Sequence, residues 1–460
     1  MRNFKRTATT VASIAAISLM LSACGGGEAG NGSDGERVSI TVSGLPDRSK
    51  PEERAAFEGR LEQFQADNPD IDITADETLF DPQVFAAQVA GGTLPTVLAV
   101  PPGELPGLTD RKQVREVTEA VEANKTFSSL PDSLLALGRA ADGGIYGVPE
   151  YAYSIGIMIN RAVFEQAGLD PDKPFADWDE LRAAAKQITE ATGNVGFAVP
   201  ATEGYGGWLV SSMIPGMGQP VMYQDGEDWT LDLTGESTVE MLELLQAMRW
   251  EDGSTSSNSI ISSAEISQGL AAGQIGMSPA GGDAYQNMIL VNGLPPEDYG
   301  MFPMPQGPDG VGTSGGGRIS IFRPDATDAE VEAALKWLEF VNFEPYTSEE
   351  AAIAWAKARA AEGLPVPEVG LPRVGGDVYD QFMRWIEPYI NVPLDQIQPY
   401  LDSASTLPIV PDPMYAANEI FLTMDPVIQA VLGREDANIP ALLQEAQDLA
   451  MPAVERAKGN

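Results

Sequence analysis

Side chains able to do covalent chemistry are sparsely supplied in this chain. There is no histidine among 460 residues and only one cysteine, Cys24. That removes Ser-His-Asp triads, Cys-His pairs, His-Glu-x-x-His zinc sites and the ordinary acid–base group of neutral pH. Catalysis would fall to carboxylates, lysine or tyrosine. The 67 acidic residues offer many pairs of the kind that cleave glycosidic bonds, but no spacing singles out one pair. The glycine run Gly315 to Gly317 lacks the Gly-x-x-x-x-Gly-Lys-Ser/Thr order of a phosphate loop and reads better as a hinge. The acid-rich stretch from Asp170 to Asp179 lacks the spacing and central glycine of a calcium loop. No metal site and no cofactor is expected. Arg318, directly after the glycines, can donate a fork of hydrogen bonds to a ligand or form an ion pair across the hinge.

The elements that would position binding groups follow from periodicity. Val38 to Val42 is a short apolar run that predicts a strand, and Phe57, Leu61 and Phe64 recur at helical spacing after it. Asn68-Pro69-Asp70 stops that helix, and Ile71 and Ile73 alternate with polar neighbours as a second strand. A helix over Pro82 to Ala90, a Gly91-Gly92 stop and a third strand from Thr96 to Val100 continue the order. Strand, helix, strand predicts a parallel α/β layer, in which ligands lie at the carboxyl ends of strands. Trp178, Trp337 and Phe340 recur at helical positions and are expected in the core.

Charge and the amino-terminus bound the setting. With 28 basic against 67 acidic residues the formal net charge is −39, which repels phosphate backbones and anionic headgroups and argues against a nucleic-acid partner. Arg2, Lys5 and Arg6 precede an apolar run from Thr10 to Leu21, the layout of a secretory signal. It ends in Leu21-Ser22-Ala23-Cys24, which resembles the lipobox of bacterial lipoproteins, so residues 1–23 are expected to be removed and Cys24 to carry a lipid. Residues 24–36, rich in glycine, read as a flexible tether. The expected address is the extracytoplasmic face of the cell membrane, with contact through the lipid anchor only. One thiol permits no disulfide within the chain.

Several ordered motifs resemble one family. Gly144 to Pro149 (GIYGVP) is followed by Asn160-Arg161, Val163-Phe164, Ala167-Gly168-Leu169 and Trp178-Asp179-Glu180-Leu181. In this order they are similar to the extracellular solute-binding proteins of ABC importers, of the sugar-binding, maltose-binding-protein-like kind. Gly269 to Gly282, Tyr299 to Pro308, Gly315 to Ile321, Glu332 to Val341 and Asp425 to Arg434 extend the likeness, so that it spans Val38 to Arg456. The chain departs from the pattern at Pro95-Thr96-Val97, where the family usually has Pro-Asp-Val, and at Val100, where many sugar binders carry an aromatic residue.

The resemblance implies an α/β, two-lobed periplasmic-binding-protein-like fold of type II with a hinge between lobes. Residues 37–152 and 315–370 would form one lobe, and 153–314 and 371–460 the other. It implies a monomer that is no enzyme, binds an oligosaccharide or other polyhydroxylated solute, and delivers it to permease subunits driven by a cytoplasmic ATPase. A polyamine or a glycerol phosphodiester is the alternative cargo; a surface carbohydrate-active enzyme is the alternative activity. Sugars stack their C–H faces on aromatic rings and offer hydroxyls to carboxylates, amides and arginine. Carried over by position, Glu203 and Tyr205 fall in a loop that supplies a carboxylate and a stacking tyrosine, with Trp208 just beyond. Asp283 and Tyr285 follow the Gly281-Gly282 loop, where the family usually has tryptophan. Tyr151 and Tyr153 lie at the first crossing between lobes and Arg318 at the return; Asp47, Phe80, Asp81 and Glu104 follow the first three strands. These twelve residues are the expected ligand contacts.

Overall fold

The computed structural model describes residues 37–458 except 226–227 and 404–405; Cys24, the signal segment and the tether lie outside the described residues. Eleven strands occur among them: β1 (Val38–Val42), β2 (Ile71–Ala75), β3 (Val97–Val100), β4 (Gly147–Asn160), β5 (Val195–Phe197), β6 (Met222–Asp225), β7 (Asp228–Leu231), β8 (Ile275–Gly281), β9 (Tyr299–Phe302), β10 (Thr313–Phe322) and β11 (Ile409–Pro411). The first three strands and the helices between them, Pro51–Asp67 and Pro82–Gly91, fall where the periodicity puts them. β1 pairs in parallel with β2 and β3, as strand–helix–strand order requires.

Two long strands join the halves of the molecule. The first part of β4 pairs antiparallel with β10, in register from Gly315 opposite Ser154 to Arg318 opposite Tyr151. Its second part, from Ile155, pairs with β8 on one side and with β9 on the other. β10 in turn pairs with β3 through Ile319 to Phe322, and its opposite end pairs with β11. A register shift between Arg318 and Ile319 marks a bulge at the crossing, a device that re-aims side chains. The glycines here serve close approach: a Cβ on Gly315 would lie 2.1 Å from the Tyr153 carbonyl oxygen, and one on Gly317 would lie 2.2 Å from that of Tyr151.

Each half has its own apolar core. Ile40, Ile73, Phe64, Phe322 and Trp337 are buried together on the first-lobe side, where Trp337 meets Phe64 edge-on at 5.4 Å. Ile157, Phe197, Leu242, Met277 and Ile428 belong to the core of the second. The helix Gly376–Ile386 buries Phe382 and Ile386 against Ala352 and Ala356 of the helix Glu349–Ala361, and Gly375 N donates to Ser129 O at 2.8 Å. The recurrent Asn160-Arg161 motif has a local cause. The Asn160 side chain accepts from Val163 N, capping the next helix, and donates to Leu270 O at 2.8 Å while only 3% exposed.

Candidate binding site

The central feature is Asp412, between two prolines immediately after β11. Its carboxylate accepts a hydrogen bond from Ser314 Oγ at 3.1 Å, and the Trp208 indole and the Tyr153 hydroxyl stand near enough to favour its charged form. It joins the long strands β4 and β10 to the helix Tyr205–Met213 through those three side chains. Burial pushes the Asp412 carboxyl above its usual range despite the three donors. Burial, and then the Asp412 charge, push the Tyr153 phenol up as well, with smaller contributions from Tyr151 and Asp283.

Tyr205 stands at the first turn of its helix, 44% exposed, with its ring edge-on to Trp208 at a centroid distance of 5.1 Å. The backbone leading to it is unusual: Glu203 and Gly204 both have positive φ, at 63° and 74°. For a glutamate that conformation is uncommon and persists only where surrounding bonds determine it. Asp425, buried in the helix Ala417–Gly433, supplies them: Oδ2 accepts from Gly204 N at 2.6 Å and Oδ1 from Gly207 N at 2.8 Å. Gly207 has to be glycine, because a Cβ there would lie 2.0 Å from the Phe421 carbonyl oxygen. Partial burial, and then the charge of Asp283, raise the pKa of Tyr205, so the two loops share one electrostatic neighbourhood.

A cavity of about 570 Å³ opens beside this cluster. Tyr151, Tyr153 and Asp283 line it, together with Trp355, Arg359 and Arg373. That volume lies within the range of small-molecule sites. Arg318 stands at the crossing with its Nε 2.6 Å from Glu150 and its guanidinium carbon 5.7 Å from the Tyr151 ring centre. Glu150 is buried and also accepts from Ser320 Oγ at 2.7 Å. Arg318 is therefore engaged by an ion pair within the crossing, and with Glu150 and Ser320 it lines a second cavity of about 380 Å³ on the first lobe.

Tyr151, Tyr153 and Asp283 are thus brought to one cavity, and Tyr205 and Trp208 are tied to it through Asp412 and Asp283. Glu104 is half-buried; burial raises its pKa while Arg111 lowers it, and its charge reaches Tyr415 in the loop after Asp412. Glu203 is exposed at the rim of the Tyr205 helix. Four expected residues have structural occupations here. Asp47 is exposed and accepts from Ser49 N at 2.8 Å in its own turn. Phe80 packs against Phe85 at 5.4 Å, and the Asp81 carbonyl accepts Phe85 N at 3.0 Å at the start of a helix. Tyr285 is 2% exposed, edge-on to Tyr299 at 4.9 Å, and burial pushes its phenol up to about 12.

Sequence reasoning missed Asp412, Arg359, Arg373, Trp355 and Glu368. Asp412 had a faint signal, an acid between prolines after a short apolar run; the others lie outside the loops that follow strands. Among the described residues no group of three or more His, Cys, Asp or Glu is placed to hold a metal ion, and no helix is long and apolar enough to cross a membrane.

Two strands shared between two α/β lobes, with the cavity beside their crossing, define a two-lobed binding protein. The chain belongs to the bacterial extracellular solute-binding protein family, whose pattern it matches over residues 49–346. The solved structures it resembles include a cyclic α-maltosyl-1,6-maltose-binding protein from Arthrobacter globiformis, 21% identical with a TM-score of 0.60, covering 91% of this chain and all of that one. The sugar-binding protein MalE of Xanthomonas citri is 15% identical with a TM-score of 0.63, covering 91% of this chain and 98% of that one. In sequence, the chain is 30% identical over 97 residues to the sn-glycerol-3-phosphate-binding periplasmic protein UgpB of Yersinia pestis. That match spans 20% of this chain and about a fifth of the relative's length.

Proposed function

We propose that the chain is the solute-binding component of an ABC importer, capturing an oligosaccharide or other polyhydroxylated solute between its lobes. The observation that carries this is the 570 Å³ cavity at the crossing strands, where Tyr151 and Tyr153 stand with Asp283. Rings for C–H faces and a carboxylate for hydroxyls are the chemistry such a solute needs. Rotation about β4 and β10 closes the lobes on the solute, and a solute that prefers the closed state shifts the population toward it. The closed, loaded monomer then docks on a permease pair driven by a cytoplasmic ATPase. In this reading the chain performs no catalysis.

The same reading places the protein on the outer face of the cytoplasmic membrane, held by a lipid on Cys24 with residues 24–36 as the tether. We draw the lobes as residues 37–152 with 315–390, and 153–314 with 391–458. The packing of Gly376–Ile386 on Glu349–Ala361 supports a later final crossing than the motifs alone suggested. A glycerol phosphoester is the second cargo worth testing, favoured by the similarity to the Yersinia pestis protein.

A thermal-shift screen of residues 25–460 against saccharides, glycerol phosphoesters and polyamines tests the cargo. A solute at 100 times its dissociation constant adds about 2.7 kcal/mol and raises the melting temperature. A shift with a polyamine alone would remove the polyhydroxylated class.

A further inference from the structure

The cavity lining also carries an arrangement that a neutral sugar does not require. Arg359 and Arg373 share one carboxylate: Arg359 Nη1 lies 2.7 Å from Glu368 Oε1, and Arg373 Nη2 lies 3.0 Å from Glu368 Oε2. Arg359 Nε also donates to Pro365 O at 2.9 Å, and Arg373 Nη1 to Asn342 O at 3.3 Å. Each guanidinium has five N–H donors, so these bonds leave several unused among the described residues. The Arg359 guanidinium carbon lies 5.2 Å from the centre of the Trp355 ring, which holds the planar fork in place. In a chain with 67 acids against 28 bases, two arginines beside the main cavity with a single carboxylate between them run counter to composition.

We infer that the captured solute carries an anionic group, a phosphate ester or a carboxylate, which seats on Arg359 and Arg373 while its hydroxyls reach Asp283 and the tyrosines. The inference rests on reading this cavity as the solute site. Guanidinium forks match the paired oxygens of both anions and bind them in bidentate geometry. Glu368 is the most exposed of the three, at 45%, against 16% for Arg359 and 30% for Arg373. It is the partner that a ligand anion displaces toward solvent. Its presence keeps the arginines paired when the cavity holds no anion.

Isothermal titration calorimetry of residues 25–460 tests this with three probes: sn-glycerol 3-phosphate, D-glucuronic acid and neutral maltotriose. The expected result is binding of at least one anionic probe, weakened tenfold or more by Arg359→Gln and by Arg373→Gln and by added salt, and strengthened by Glu368→Gln. The phosphate and carboxylate sources separate according to which probe binds. If a glutamine variant does not fold, as judged by its melting curve, Arg359→Lys and Arg373→Lys replace it, with a loss of threefold or more expected because the fork is gone. Binding of maltotriose without either anion overturns the anion inference and leaves the solute-binding reading standing. Anion binding that survives both arginine substitutions overturns the seat. If none of the three probes binds, the anion inference falls, while the polyhydroxylated cargo is decided by the thermal-shift screen.

Discussion

Asp425 and Gly207 are joined by a 2.8 Å hydrogen bond in which a buried carboxylate from one helix accepts an amide from the first turn of another. The second Asp425 oxygen takes Gly204 N at 2.6 Å, so the two bonds bracket Tyr205. A buried carboxylate thereby fixes the turn that carries the Tyr205 ring. Asp425→Ala leaves both amides unpaired in a buried setting, at a cost of about 2–4 kcal/mol in urea unfolding. Unchanged stability would show that the loop is held by other means.

Tyr205 and Tyr285 separate site from core. Tyr205→Ala weakens binding of the identified solute by at least ~1 kcal/mol, because a half-exposed ring is lost from the cavity region, and lowers stability little. Tyr285→Ala lowers stability by about 3–5 kcal/mol, because its ring is fully packed against Tyr299. Titration calorimetry beside urea unfolding distinguishes them, and the opposite pattern would exchange their roles.

Asp412 predicts a pH dependence. Burial raises its folded pKa above the ordinary 3.8, so the folded state binds this proton more tightly than the unfolded chain. The stabilisation it contributes is fully present below the ordinary value and is lost as pH rises through the folded value. Asp412→Asn cannot titrate, so wild-type stability relative to the variant falls as pH rises from below the ordinary 3.8 through the raised folded value. A difference that stays flat over that range would mean that the three hydrogen-bond donors offset the burial.

How far the sequence was legible depended on range. β1, β2, β3 and their helices emerged from apolar periodicity because each buries one face locally. Tyr151, Tyr153 and Asp283, which line one cavity, drew attention in the sequence because glycine and proline punctuate the crossings where they stand. Asp412 was hidden because its partners Ser314, Trp208 and Tyr153 lie about 100 to 260 residues away and meet only when β11 pairs with β10. Arg359 and Trp355 sit on the helix Glu349–Ala361, outside the strand-following loops in which ligand contacts were expected. Conversely Tyr285 looked like a loop aromatic, and only tertiary packing on Tyr299 buried it.

The proposed membrane address rests on Cys24. Replacing it, Cys24→Ala, removes the only thiol and with it the thioether site. The variant is expected in the soluble fraction and unlabelled after growth with radioactive palmitate, while the wild type fractionates with membranes and carries label. Equal membrane association of both would rule out lipidation at this residue.

Closure of the two lobes on an intact solute is the central claim, and small-angle X-ray scattering with and without a saturating solute tests it most directly. The account predicts a smaller radius of gyration with solute bound, reversed on dialysis, with the solute recovered chemically unchanged by mass spectrometry. An unchanged radius at saturation, or a solute recovered cleaved, would contradict it.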